Sequence, residues 1–282
     1  MADPIVARAL FRRLHESGCF AIPNPWDIGT ARYLQHLGFK ALATTSSGFA
    51  FSRGLPDSDW EVTRDMALAH ISEIVAATDL PVNADFESGY AHAPEDVAEN
   101  VRRCEETGIA GLSIEDATGD KRQPLYDVKL AAERIRAARR AIDKAGADVL
   151  LTARAECFLT GHPSPLGESI GRLRAYADAG ADVLYAPGLR TKDDIQRIVS
   201  AVAPKPVNVL MSANTGLQMA DLAELGVRRV SVGSSLARAA WTGFIRTAKL
   251  IADEGSFAGF NELTPFAELN GFFREDLKKR AK

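Results

Sequence analysis

Val82-Asn83-Ala84-Asp85-Phe86-Glu87-Ser88-Gly89-Tyr90 begins as a buried strand and ends in two acids at alternate positions, followed by a glycine turn. Residues i and i+2 of a β-strand point to the same side, which predicts that Asp85 and Glu87 project together. Two carboxylates held side by side repel each other unless a cation or a proton lies between them. A second acidic strand end, Ser113-Ile114-Glu115-Asp116, comes about thirty residues later. Together the two suggest a hard divalent cation held by oxygen ligands. Acids at strand ends also cap the next helix or bind a basic neighbour, and one such pair alone does not separate these readings.

Working outward, the same unit recurs along the chain. A helix ends in glycine or a turn, a short apolar strand follows, and polar or acidic residues stand at its end. Strands are predicted at 19–23, 41–45, 80–86, 111–115, 148–153, 182–186, 206–211 and 229–233. Helices are predicted from near Ile28, then at 63–78, 94–107, 128–145, 167–179, 191–202, 216–224 and 235–253. Ser46-Ser47-Gly48 reads as a small polar loop and 49–62 as a longer connection. An amphipathic helix over 4–17, with Val6, Leu10, Phe11 and Leu14 on one face, precedes the first unit. Gly108, Gly146, Gly180 and Gly226 each stand just before a strand, where a glycine that ends a helix belongs. Strands that are apolar throughout imply burial on both faces and a parallel sheet. Eight such units predict a single (β/α)8 TIM barrel domain over 1–282, with the barrel at about 18–253 and a C-terminal helical extension at about 254–282. A doubly wound sheet would need a dinucleotide fingerprint, and no GxGxxG follows any strand. The tail carries Phe257, Phe260, Phe266, Phe272 and Phe273, which need a place to be buried, on the barrel or on a neighbouring subunit.

With 282 residues, 46% of them apolar and 25% charged, the composition is that of an ordinary soluble enzyme. A net charge of −3 gives no reason to expect nucleic acid or an anionic membrane as partner. The chain has no apolar run of ~18 residues, and Met1-Ala2-Asp3-Pro4 lacks the basic and apolar regions of a signal peptide, so the expected location is cytoplasmic. Cys19, Cys104 and Cys157 fit neither a disulfide framework nor a zinc site. The five histidines form no HxH or HExxH pattern, which argues against zinc chemistry.

In a barrel the C-terminal strand ends converge on one site. Collected there are Asn24, Trp26 and Asp27; Thr45, Ser46, Ser47 and Gly48, with Asp57 in the loop beyond; Asp85 and Glu87; Glu115 and Asp116; Arg154 and Glu156; Tyr185; Asn208 and Ser212; Ser231 and Gly233. This set makes a carboxylate-lined pocket with one fixed guanidinium and a cluster of small hydroxyls. A cation held by the acids can chelate an α-oxo acid and stabilise its enolate, while Arg154 and the Ser/Thr loop can clamp a carboxylate. Oxygen donors without histidine suit Mg²⁺ or Mn²⁺. No lysine stands at a strand end, which argues against a Schiff-base aldolase.

On Asn24-Pro25-Trp26-Asp27, Gly54-Leu55-Pro56-Asp57, Asp85-Phe86-Glu87-Ser88-Gly89-Tyr90, Ser113-Ile114-Glu115-Asp116 and Thr152-Ala153-Arg154-Ala155-Glu156, the chain resembles the isocitrate lyase/phosphoenolpyruvate mutase superfamily along nearly its whole length. The resemblance implies a Mg²⁺-dependent barrel acting on α-oxo acids or their enolates, in a tetramer whose terminal helices swap between subunits. It implies that Asp85, Glu87 and Glu115 surround the metal, some through water. Arg154 and the Ser46–Gly48 loop would hold the substrate carboxylate. From their own strand-end positions Thr45, Trp26 and Asn208 are expected to bind substrate beside them, with core for Trp26 and strand-end packing for Asn208 and Tyr185 as the other readings. Asp57 would be an acid at the mouth that helps position the substrate or a gating loop, and Asp57, Arg154 and Glu115 are the expected catalytic residues.

The departures narrow the subgroup. Ala117-Thr118-Gly119-Asp120-Lys121-Arg122-Gln123-Pro124-Leu125-Tyr126 stands where isocitrate and methylisocitrate lyases carry a Lys-Lys-Cys-Gly-His type loop, and it has neither cysteine nor histidine. The Lys-rich, Asn-Ser bearing loop of phosphoenolpyruvate mutases is missing as well, and Glu87 replaces the usual aspartate. The expected activity is therefore C–C bond cleavage next to an α-oxo acid, on oxaloacetate-like dicarboxylates or 2-methylmalate-like adducts. Mutase or hydrolase chemistry on a C–P bond, and a barrel that binds oxo acids without turnover, are the alternatives.

Overall fold

The computed structural model describes residues 3–57 and 60–281. Its centre is a barrel of eight parallel strands: β1 (Phe20–Ile22), β2 (Leu42–Ala43), β3 (Val82–Asp85), β4 (Gly111–Glu115), β5 (Leu150–Arg154), β6 (Val183–Tyr185), β7 (Val207–Leu210) and β8 (Arg229–Ser231). Neighbours pair in the order β1-β8-β7-β6-β5-β4-β3-β2. Helices α2 (Ile28–His36), α3 (Ser46–Ser52), α4 (Arg64–Ala77), α5 (Pro94–Glu105), α6 (Val128–Lys144), α7 (Pro165–Asp178), α8 (Lys192–Val202) and α9 (Met219–Glu224) alternate with the strands. An N-terminal helix, α1 (Pro4–Leu14), precedes them, and α10 (Ser235–Glu254) and α11 (Phe266–Arg280) follow. The expected (β/α)8 architecture is the one observed. No described helix is long and apolar enough to cross a membrane.

The strands differ from the sequence reading in one respect that matters for the site. They are not apolar on both faces. Leu112, Ile114, Leu151, Ala153, Leu184, Val209 and Val230 belong to the large apolar cluster under the helices. The alternate positions Asn83, Ser113, Thr152, Asn208 and Arg229 are buried and polar, and three of them bond to Arg229 across the barrel interior. Short strands hide this alternation, because each contributes only one or two inward residues.

Asp27 caps α2, its carboxylate accepting from the Thr30 amide at 2.7 Å. Ser46-Ser47-Gly48, expected as a loop, is instead the first turn of α3, capped by the Thr45 hydroxyl. The expected connection 49–62 therefore starts as helix, and residues 58 and 59 within it lie outside the described residues. Gly180 takes φ 102° at the end of α7, and a Cβ there would come within 2.7 Å of Arg139 Cγ, so no other residue fits.

The N-terminal helix closes the barrel at the strands' N-terminal ends. Phe11 is fully buried among Ile22, Ala41, Ala43, Ala110 and Leu150. It approaches so closely that a Cβ on Gly111 would lie 2.7 Å from its ring. Val6, expected on this buried face, is exposed, and Ala7 is buried in its place. Between β1 and β2 the described residues form no strand ladder. There the Ala43 amide bonds to Pro23 O at 3.1 Å. Asn24 adds a side-chain strut, donating to Thr44 O at 2.9 Å and accepting from the amides of Val232 (3.0 Å) and Gly233 (2.9 Å).

The described chain divides into two compact units, Met1–Ser235 and Leu236–Lys282. In the second, Arg246 pairs with Glu262 at 3.1 Å, and Phe272 meets Phe273 edge-on with ring centroids 4.8 Å apart. Trp241, Phe244, Phe257, Phe260 and Phe266 stay exposed on it.

Candidate active site

Strand β3 ends at Asp85, and the next residues leave extended geometry. The Phe86 amide still bonds to Ser113 O at 3.2 Å and Glu115 N bonds to Glu87 O at 2.9 Å, but Glu87 and Tyr90 take φ 44° and 52°. Asp85 and Glu87 thus do not share a strand face through simple alternation, because the strand stops two residues too soon. A left-handed turn of non-glycine residues persists only where its surroundings hold it. Here the buried guanidinium of Arg134 donates to Ala91 O and His92 O at 2.7 Å each and also to Ser88 O. Asn100 adds a bond to Gly89 O at 2.9 Å. The Tyr90 hydroxyl donates to Glu87 Oε1 at 2.9 Å.

Arg154, the last residue of β5, is the hub. Nη1 donates to Asp85 Oδ1 at 2.8 Å and lies 3.0 Å from Glu115 Oε2, while Nε donates to Glu156 Oε1 at 2.9 Å. Its guanidinium carbon stands 5.1 Å from the centre of the Tyr185 ring. The second oxygen of Asp85 accepts the Ser46 amide at 3.1 Å, so the first turn of α3 is tied to the same carboxylate. Thr45 Oγ1 receives the Gly48 amide at 3.2 Å. Asp57 stands exposed at the rim, close to the Ser46 and Ser47 side chains.

Asp85, Glu115, Arg154, Asp57, Thr45, Ser46, Ser47 and Gly48 therefore lie together, with Glu87 beside them. Glu115 and Asp116, neighbours in sequence, part company. Asp116 is buried on the outer side, accepting from Arg172 at 3.0 Å, from the Tyr176 hydroxyl at 2.5 Å and from the Glu156 amide at 2.8 Å. It braces β4 against α7 and the loop after β5. Asn208, expected to touch substrate, is instead buried and occupied inside the barrel, accepting from Arg229 and donating to Ser231. Trp26 is half-buried beside the Asn24 strut. Cys157 is buried and its thiol is pushed up to about 11, first by burial, so it is no nucleophile.

The electrostatics follow from too many acids. Asp57, Asp85, Glu87, Glu115 and Glu156 gather around one guanidinium. Burial, followed by Asp85 and Asp57, raises Glu87 to about 7, against the bond from Tyr90. Glu115 and Glu156 are raised as well, by burial first, while Arg154 opposes the rise in both. Among the described residues no three His, Cys, Asp or Glu side chains form a ready-made metal cage, and Arg154 holds oxygens of both Asp85 and Glu115. Surplus negative charge and an all-oxygen donor set nonetheless fit a hard divalent cation that keeps much of its water, as Mg²⁺ does. Asp85, Glu87 and Glu115 are the residues that would hold it.

Sequence reasoning passed over Arg229 and left Tyr185 open between strand-end packing and substrate contact. The signal for Arg229 was present: an arginine inside the apolar run Val227-Arg228-Arg229-Val230 has to be satisfied within the barrel.

An eight-stranded barrel whose C-terminal mouth gathers acids about one arginine is the architecture this chain shares with a known family. Residues 11–252 match the family described as phosphoenolpyruvate phosphomutase, and the chain belongs to that family, within the phosphoenolpyruvate mutase/isocitrate lyase superfamily of lyases, mutases and hydrolases. A crystal structure from Burkholderia cenocepacia J2315, provisionally described as a lyase/mutase, is 47% identical with TM-score 0.91, covering 96% of each chain. An uncharacterized protein of Mycobacterium tuberculosis is 33% identical over 260 residues, covering 92% of this chain and 94% of its own. The oxaloacetate decarboxylase of Pseudomonas entomophila is 30% identical over 234 residues, covering 80% and 78%.

Proposed function

We propose that the chain is a Mg²⁺-dependent lyase that cleaves a C–C bond of an α-oxo acid or related carboxylate. Oxaloacetate-like dicarboxylates and 2-methylmalate-type adducts are the substrate class. One observation carries this reading: Arg154 is fixed by Asp85, Glu115 and Glu156 at the barrel mouth, amid acids it cannot neutralise alone. A fixed guanidinium orients a carboxylate, and the uncompensated acids call for a divalent cation.

When bound, Mg²⁺ would supply positive charge at the substrate's oxo oxygen. The chain's own residues do the rest. Arg154, with Ser46 and Ser47 on α3, orients the substrate carboxylate, and Asp57 closes the rim above them. In oxaloacetate the C3–C4 bond breaks, CO₂ leaves, and the electron pair passes toward the oxo group, so carbon needs a proton only afterwards. That order suits a loop with neither cysteine nor histidine. The 117–125 loop is a hairpin, with Ala117 paired to Leu125 and the Thr118 amide bonded to Pro124 O at 3.0 Å. In this reading the loop closes to exclude water from the site. The Pseudomonas entomophila relative, an oxaloacetate decarboxylase, supports the choice of substrate. The exposed aromatics of the C-terminal unit support burial against further copies of the chain, a homotetramer in this reading, which sedimentation would test.

The test is turnover of oxaloacetate with Mg²⁺, products identified by NMR, and Arg154→Ala as control. Pyruvate and CO₂, lost in the variant, would support the decarboxylase. Oxalate and acetate would make it a hydrolase, and consumption of phosphonopyruvate alone would move the assignment to C–P chemistry. Oxalate binding without any turnover would leave a barrel that binds oxo acids but does not act on them.

A further inference from the structure

Arg229, the first residue of β8, is buried inside the barrel, and none of its hydrogen-bond partners is an acid. Its fork donates to three neutral acceptors: Nε to Asn208 Oδ1 at 2.9 Å, Nη2 to Thr152 Oγ1 at 3.1 Å and Nη1 to Asn83 Oδ1 at 3.4 Å. Burial lowers the guanidinium to about 10, with Tyr185 pulling the other way. His15 offers no counter-charge, since burial first and Arg229 second keep it neutral, at about 3. A buried charge satisfied only by neutral groups is costly, and it is retained where its geometry serves something.

The chemistry of the donors shows what it serves. A guanidinium can only donate, so Asn208 must turn its oxygen to Arg229 and its amide nitrogen the other way. That nitrogen donates to Ser231 Oγ at 3.0 Å. Asn208 is also the register partner of Tyr185 on β6, so the amide that Arg229 fixes stands beside that residue, with the Ser231 hydroxyl near its phenol as well. The ring of Tyr185 lies 5.1 Å from the Arg154 guanidinium carbon. Donation thus runs from the cation inside the barrel through Asn208 to Ser231, and the pairing of Asn208 with Tyr185 carries that order to the cation at the mouth, linking β8, β7, β6 and β5.

We propose that Arg229 is a positioning residue of the candidate active site, acting through Asn208 and Ser231 to hold Tyr185 against Arg154. The proposal rests on the reading of Arg154 as the anchor for a substrate carboxylate. It predicts that cutting the chain of bonds anywhere loosens carboxylate binding without unfolding the barrel.

The experiment compares wild type, Arg229→Met and Ser231→Ala. Calorimetry measures oxalate, a planar mimic of an enolate, in the presence of Mg²⁺; crystal structures of the ligand-free proteins report the Tyr185 ring. Both variants are expected to bind oxalate about fivefold more weakly or worse, the worth of one lost hydrogen bond. The Tyr185 ring should also leave cation–π range of Arg154, beyond about 6 Å. Unchanged oxalate affinity in a folded Ser231→Ala protein, with Tyr185 still in place, overturns the proposal. A lowered melting temperature with unchanged affinity does so too, since it marks a merely structural role. Should Arg229→Met fail to fold, Ser231→Ala, which loses a single hydroxyl, decides. Should wild type bind no oxalate, the carboxylate-anchor reading fails, and the position of Tyr185 in the crystal structures still decides whether Arg229 holds it.

Discussion

Arg154, on β5, reaches past β4 to donate to Asp85 on β3 at 2.8 Å. The contact joins two strands that are not neighbours in the sheet. It sets the guanidinium in place before any substrate arrives, and its aim is further fixed by Glu115 and Glu156. Lysine has no fork with which to meet three carboxylates. Arg154→Lys is therefore expected to lower kcat/KM for oxaloacetate about 100-fold or more, the scale of a misplaced substrate. Steady-state kinetics beside a thermal melt will separate this from lost stability.

Glu87 predicts a pH dependence. Its folded carboxyl titrates at about 7 because of burial, against an ordinary value of 4.5. The folded state therefore binds more protons, and wild type loses stability as pH rises from about 4.5 to about 7. Glu87→Gln removes that loss. In the presence of EDTA, its denaturation midpoint relative to wild type should climb across this window and level off above it, as urea titrations at a series of pH values will record.

Asp116 predicts a cost in stability. It is buried and answers Arg172, Tyr176 and the Glu156 amide. Asp116→Ala leaves the Arg172 guanidinium without its buried partner, at about 3–5 kcal/mol. The loss should appear as a lower urea midpoint with an unchanged denaturant slope.

Metal removal is the fourth test. A ligand that binds only the folded state at ~100 times its Kd adds about 2.7 kcal/mol. Mg²⁺ should raise the melting temperature of EDTA-treated wild type and restore turnover. Asp85→Asn should blunt both responses, since it removes charge from the acid cluster.

Much of the barrel was legible because its signals are local. Glycines that end helices, apolar strands and strand-end polar residues each announce themselves within a few positions, and the eight units followed. Most of the site was legible too, since Asp85, Glu115 and Arg154 close the strands they were expected to close. What could not be read depended on direction. Whether Glu115 or Asp116 faces the mouth is decided by where β4 stops and by what Arg172 offers on the far side. The turn that places Glu87 is imposed by Arg134, 47 residues downstream by sequence number. Asn208 reads as a strand-end polar residue, and only the sheet register, which sets it opposite Arg229, reveals that its hydrogen bonds are already spent.

The join between β1 and β2, carried by one backbone bond and the side chain of Asn24, bears on how the molecule breathes. Every other pair of neighbouring strands has a ladder to unzip; here very little has to break. The Ala43 amide should consequently exchange with solvent ahead of the amides of β4 and β5, marking the place where the cylinder parts. Thr45 and Ser46 follow directly on one side of that slit and Trp26 on the other. A ligand seated across it would act as a clasp, and protection of Ala43 from deuterium would then report occupancy of the mouth.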